Sequence, residues 1–136
     1  MRSPAELSDR LRAGGRKVTP QREAVFRVLA GNDGHPTAES VHAAVTAELP
    51  MVSLRTVYQV LNDLTELGEI QAIDVGTGSA RFDPNVEPHH HLVCTVCGRV
   101  RDVPARSVPT VDVGGFVVER AEIVFRGRCD GCGPPA

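Results

Sequence analysis

The sequence predicts an α+β fold built from two small modules in series. Three observations carry that prediction. Apolar residues recur at helical spacing up to residue 67, strand-like alternation takes over from residue 69, and two Cys-x-x-Cys pairs bracket the second half. The 136 residues are 41% hydrophobic and 24% charged, the composition of a globular chain rather than a disordered one. With no Trp, one Tyr and four Phe, each module has few large side chains to bury, and a metal staple would make up the deficit.

The first module reads as helices in order. Leu7 and Leu11 punctuate a short amphipathic start that Gly14-Gly15 ends. Thr19 followed by Pro20 has the form of an N-cap with proline at the first helical position, and Val25, Phe26, Val28 and Leu29 supply that helix's apolar face. Thr37 caps a third helix with Val41, Ala44 and Val45 inward, and His42 is read as plain helix surface. Ser53 caps a fourth, along which Val57, Val60, Leu61, Leu64 and Leu67 recur until Gly68. Residues 69–75 alternate like a strand, 76–79 form a turn, and 80–83 a return strand.

Short helices followed by a hairpin are the plan of a winged helix-turn-helix, assigned to residues 1–83. Seven basic side chains among the first thirty residues (Arg2, Arg10, Arg12, Arg16, Lys17, Arg22, Arg27) suit a polyanion, although the whole chain carries a formal charge of -2. The fourth helix is the candidate recognition helix. Its leading surface, Ser53, Arg55, Thr56, Tyr58 and Gln59, contains no acid before Asp63 and offers groups that meet phosphates or base edges. An ordinary amphipathic helix with its polar face in water has the same pattern.

Residues 84–88, with two prolines, read as a linker, and residues 89–136 as a second, zinc-stapled domain. Strands are expected at 91–94, 99–103, 116–118 and 121–126, and any helix at 104–115 must be short. Cys94-x-x-Cys97 and Cys129-x-x-Cys132 suit a tetrahedral Zn²⁺ site, with Gly98 and Gly131 as the knuckle turn residues. The redox alternative calls for a βαβ setting, and none is legible; unliganded buried thiols are the other alternative. Four protein ligands leave no open position, so such a site stabilises and performs no chemistry.

His89-His90-His91 precedes the first knuckle. On a strand, His89 and His91 share a face and could share a metal. Asp102 lies on the next strand, Asp83 ends the wing hairpin, and His35 precedes the third helix. Together they form a nitrogen and oxygen set suited to Fe²⁺, Mn²⁺ or Zn²⁺. Read singly, His35 is a helix-start polar group, Asp83 a turn residue and Asp102 a solvated strand residue.

The combination resembles the ferric uptake regulator (Fur) family. The matching stretches are Thr19-Pro20-Gln21-Arg22, His35-Pro36-Thr37-Ala38-Glu39-Ser40, Ser53-Leu54-Arg55-Thr56-Val57-Tyr58 with Leu61, Gly68-Glu69-Ile70, Arg81-Phe82-Asp83 and His89-His90-His91-Leu92-Val93-Cys94, completed by Cys97-Gly98, Cys129 and Cys132. The resemblance implies a homodimer whose winged helices bind an inverted-repeat, double-stranded DNA operator and whose small C-terminal α/β domain dimerises. It implies structural Zn²⁺ on the four cysteines and a regulatory metal on His35, Asp83, His89, His91 and Asp102, bridging the domains. Tyr58 and Arg55 fall on its recognition helix, and Lys17 and Arg22 near its phosphate contacts.

Asp rather than Glu at position 102 resembles the peroxide-sensing, PerR-like branch, where Fe²⁺ or Mn²⁺ occupies the regulatory site and the ligand histidines, here His35 and His89, are oxidised. Zn²⁺ or Ni²⁺ are the alternatives, under which the protein would be a metal-sufficiency sensor for iron, zinc or nickel. A further His that many members carry before the third cysteine is absent, its stretch being Arg120-Ala121-Glu122. A single Lys among 15 basic residues suggests a GC-rich genome, such as an actinobacterial one.

Other classes fit less well. An enzyme is not expected: a zinc deaminase needs His-x-Glu before its cysteine pair, and 89–91 offers no such Glu. A zinc-ribbon adaptor that binds protein rather than DNA is a third class, which charge reversal at Arg55 separates: unchanged operator affinity would favour the adaptor. No apolar run approaches the ~20 residues of a membrane span, and the N-terminus has no signal-like apolar stretch, so the expectation is a cytoplasmic protein without a membrane partner.

Overall fold

The computed structural model describes residues 1–105 and 111–134. It contains two compact units, Met1–Val86 and Glu87–Ala136. Among the described residues no helix is long and apolar enough to cross a membrane.

The first unit holds four helices, α1 (Pro4–Ala13), α2 (Pro20–Leu29), α3 (Ala38–Glu48) and α4 (Leu54–Glu66), then a hairpin of β1 (Gln71–Ile73) and β2 (Arg81–Asp83). Each helix starts where a hydroxyl accepts from an orphan amide: Ser3 from Glu6 in a capping box, Thr19 from Arg22, Thr37 from Ser40, and Ser53 from Thr56. Beyond α4, Gly68 takes a left-handed φ of 71°, which lets the Glu69 amide donate back to the Leu64 carbonyl at 2.9 Å. That bond explains why the strand begins at Gln71 and not at residue 69.

One core collects the apolar stripes: Leu7 and Leu11, Val25, Phe26 and Leu29, Val41 and Val45, and Val57, Val60, Leu61 and Leu64, closed by Ile70 and Phe82. Burial of each large side chain contributes roughly 1.5–3 kcal/mol. Two sequence expectations fail on α3. Ala44 is exposed, because the inward stripe runs through Ala38, Val41 and Val45. His42 is half-buried, and its Nε2 donates to the Val52 carbonyl at 2.8 Å, fastening α3 to the turn before α4. Buried Glu69 accepts from the guanidiniums of Arg2 and Arg10, tying α1 to the end of α4.

The hairpin pairs antiparallel with Ala72 opposite Phe82. On its other edge β2 meets the segment leading into α3: the Phe82 amide donates to the Pro36 carbonyl at 2.9 Å and Thr37 bridges Arg81. The wing hairpin and the loop carrying His35 are thus one backbone-bonded assembly.

In the second unit β3 (His89–Cys94) is central, with β4 (Val100–Pro104) antiparallel on one side and β5 (Val124–Gly127) parallel on the other. A short 3-10 turn, Asp130–Cys132, follows. The expected strand at 116–118 does not form. Phe116, Val117 and Val118 are 78%, 90% and 48% exposed, and no neighbouring strand among the described residues accepts their hydrogen bonds. The strand expected at 121–126 starts at Val124, the first residue in register with β3 (opposite His91), and ends at Gly127. Of the segment 104–115, residues 106–110 lie outside the described residues, and the remainder holds no helix.

Candidate metal centres

The parallel pairing of β5 on β3 sets Cys94 opposite Gly127, so that both Cys-x-x-Cys turns emerge at the same end of the sheet. One turn is closed by the Gly98 amide on the Cys94 carbonyl at 2.9 Å, with Gly98 at φ 73°. In the second, the left-handed glycine is Gly133, also at φ 73°, and not Gly131, which lies inside the 3-10 turn. The four sulfurs lie within 4.8 Å of one another, and Cys97 Sγ is 3.7 Å from Cys129 Sγ. A tetrahedron with metal–sulfur bonds of about 2.3 Å has sulfurs about 3.8 Å apart.

The protonation of these thiols is divided. Backbone amides of Cys97, Cys129 and Val96 directed at Cys94 Sγ pull its pKa down to about 5. Cys132, hydrogen-bonded to the sulfurs of Cys129 and Cys97, is pushed up to about 12. Four adjacent thiolates repel one another unless a dication sits among them, and the donor set fits Zn²⁺.

A second donor group lines the other face of β3. His89 and His91 are buried neighbours on that face, their Nε2 atoms 3.0 Å apart. Asp102, opposite His91 on β4, brings Oδ1 to 3.2 Å from His89 Nε2 and 4.0 Å from His91 Nε2, with its side chain a third exposed. His89 Nδ1 donates to the Glu87 carbonyl at 2.6 Å, and His91 Nδ1 meets Glu122 Oε1 at 3.1 Å. His90 points the other way, accepting the Ile123 amide on its Nδ1 at 3.3 Å. The two nitrogens and the carboxylate form a set that fits Fe²⁺, Mn²⁺ or Zn²⁺.

Within the first unit, His35 Nε2 lies 3.5 Å from Asp83 Oδ2, and both side chains are almost fully buried. The backbone bonds between β2 and the segment 36–37 bring them together. His35 has a left-handed φ of 51°, and its carbonyl accepts from the Arg81 guanidinium at 3.3 Å. Asp83 Oδ1 accepts the Asn85 amide at 2.8 Å, and Gln71 donates to Oδ2 at 3.4 Å.

Sequence reasoning did not assign Glu122, Gln71 or Asn85 to either donor group. In the sequence Glu122 belongs to a stretch lacking a histidine; the parallel β3–β5 register, which no local pattern reveals, is what brings it to His91.

On α4, Ser53, Arg55, Tyr58 and Gln59 are exposed and Thr56 is half-buried; Lys17 is exposed ahead of α2. A groove of about 400 Å³ is lined by Thr19, Gln21, Arg22, Arg55, Thr56 and Gln59. Two acids reach this surface. Asp63 Oδ2 accepts from Arg22 at 3.0 Å, so this guanidinium joins α2 to α4. Glu39, from α3, accepts the Tyr58 hydroxyl at 3.1 Å and pushes the phenol pKa up.

Residues 13–113 match the model of the ferric uptake regulator family. The chain belongs to the ferric uptake regulator family. Its fellow members are metal-responsive transcriptional regulators, and the α+β architecture and clustered cysteines agree with that membership. The chain is 32% identical over 127 residues to the peroxide-responsive repressor PerR of Staphylococcus epidermidis, covering 90% of this chain and 85% of that one. Its fold is similar to that of the Campylobacter jejuni peroxide stress regulator (TM-score 0.65, 26% identity, 97% of this chain and 100% of that one). It is also similar to the Helicobacter pylori ferric uptake regulator, a protein with three functional metal-binding sites; at TM-score 0.73 but 20% identity, over 94% and 89% of the two chains, that likeness concerns the fold alone.

Proposed function

We propose that this ferric uptake regulator family member is a metal-dependent, peroxide-responsive transcriptional repressor that binds an inverted-repeat operator as a homodimer. The observation that carries the reading is the convergence of the His89 and His91 Nε2 atoms beside Asp102, at the start of the second unit. The matching pair His35 and Asp83 lies in the first unit, and only residues 84–88 separate Asp83 from His89. An Fe²⁺ or Mn²⁺ ion held by all five residues would fix the angle between the units. Cys94, Cys97, Cys129 and Cys132 would hold a structural Zn²⁺ that keeps the second unit folded.

With that angle fixed in both protomers, the two α4 helices can enter successive major grooves about 34 Å apart. Arg55, Tyr58 and Gln59 then face bases, while Lys17, Arg22, Ser53 and Thr56 face the backbone. Exposed apolar side chains at Phe116, Val117, Val118 and Phe125 support self-association through the second unit. A ferrous ion held there would supply the reducing equivalents for peroxide, and His35 and His89 are the ligands that would take up the oxidation. Losing a ligand removes the preference for the DNA-competent arrangement. Asp rather than Glu at position 102 and the peroxide-responsive relative favour this reading over sensing of metal level alone.

The test is an anaerobic operator gel shift with the Fe²⁺ and Mn²⁺ forms before and after peroxide. The iron form is expected to lose operator binding while the manganese form keeps it. An iron form that keeps full binding contradicts peroxide sensing and leaves metal sufficiency as the signal.

A further inference from the structure

We propose that Glu122 is a positioning residue for the regulatory metal, which fixes His91 in the one tautomer that offers Nε2. The inference rests on the reading of His91 as a metal ligand. An ionised carboxylate only accepts hydrogen bonds, so at 3.1 Å from Glu122 Oε1 the His91 Nδ1 must carry the proton. A neutral imidazole has one N–H, and Nε2 is therefore left with its lone pair. The His91 side chain is 0% exposed, which denies the ring water as an alternative partner.

The three consecutive histidines sort by partner. His89 Nδ1 faces the Glu87 carbonyl at 2.6 Å, an acceptor only, and its Nε2 lone pair points at that of His91 across 3.0 Å. His90 Nδ1 instead accepts the Ile123 amide at 3.3 Å, so its proton sits on Nε2. Both rings are set to present Nε2, beside Asp102 Oδ1, by what their Nδ1 atoms touch. The partners differ in charge. A carbonyl orients His89, whereas a carboxylate orients His91, and charge-assisted hydrogen bonds are the stronger ones. Arg120, 3.9 Å from the other Glu122 oxygen, steadies the carboxylate.

The test uses the zinc-loaded full chain. Without added Mn²⁺, long-range ¹H–¹⁵N correlation of the imidazoles is expected to show His89 and His91 protonated at Nδ1 and His90 at Nε2. In Glu122→Ala, His91 becomes a mixture of tautomers and Mn²⁺ affinity, read by electron paramagnetic resonance titration, falls about 10-fold or more. Glu122→Gln, whose amide oxygen still accepts from Nδ1, keeps the tautomer and shows an intermediate affinity. Zinc content and circular dichroism report whether each variant is folded. A wild-type His91 protonated at Nε2 overturns the proposal, as does an unchanged Mn²⁺ affinity in Glu122→Ala when His91→Ala has lost it. If His91→Ala also binds Mn²⁺ normally, the metal reading itself falls and this proposal with it.

Discussion

His89 and His91 present their Nε2 atoms to each other across 3.0 Å on the buried face of a single strand. The two-residue period of a strand puts both rings on that face, and the hydrogen bonds at the two Nδ1 atoms turn them toward a common point. The regulatory metal proposed there and the structural metal proposed at the cysteines have separable consequences.

Cys97→Ser is expected to release the structural zinc and unfold the second unit. Zinc binding to such sites is worth about 10–16 kcal/mol at neutral pH, as much as the whole stability of a typical domain. Metal analysis with size-exclusion chromatography checks this, and a zinc-free, stable dimer would contradict it.

Glu69 makes the first unit acid-sensitive. Burial alone would raise its carboxyl, but hydrogen bonds from the Arg2 amide and the Arg2 and Arg10 guanidiniums reverse this and hold it below the usual 4.5. A depressed folded pKa adds stability that is complete above 4.5 and is lost as the pH falls through the folded value. Glu69→Gln is expected to destabilise the first unit by about 1–2 kcal/mol at neutral pH, since both guanidiniums remain partly in water. In thermal melts the gap to wild type should narrow below pH 4.5; a gap independent of pH would rule out this role.

Arg22 is expected to act twice. Its ion pair with Asp63 is only about one-fifth exposed on each side. Arg22→Met should therefore cost about 1–2 kcal/mol of stability besides weakening operator binding. Melting curves and gel shifts separate the effects: weakened DNA binding with an unchanged melt would mean that the α2–α4 contact contributes nothing.

Much of this was legible in the sequence because local chemistry decides it. Thr19, Thr37 and Ser53 start helices because each has a hydroxyl placed to take an amide three residues on, and the cysteine turns follow from their spacing. What was not legible depends on distant pairing. That His35 meets Asp83 follows from β2 bonding to the segment 36–37, and that Glu122 meets His91 follows from a parallel register. The strand expected at 116–118 failed for a related reason: its apolar residues promise a strand, but pairing needs a neighbour. Likewise, reading α4 alone found no acid near its N-terminal end, because Glu39 arrives from α3.

Asp102→Glu is expected to keep metal-dependent operator binding and to lose most peroxide sensitivity. Mass spectrometry of histidine oxidation in the iron form, after one dose of peroxide, checks it. Unaltered oxidation at His35 and His89 would show that the shorter carboxylate is not what tunes the site.

The account stands or falls on one ion held by donors from both units, and Mn²⁺ titration of His35→Ala and His91→Ala beside wild type measures it most directly. The predicted result is one regulatory Mn²⁺ per chain in wild type, with that same site weakened by either substitution while zinc content stays constant. Wild-type Mn²⁺ affinity in His35→Ala would contradict it.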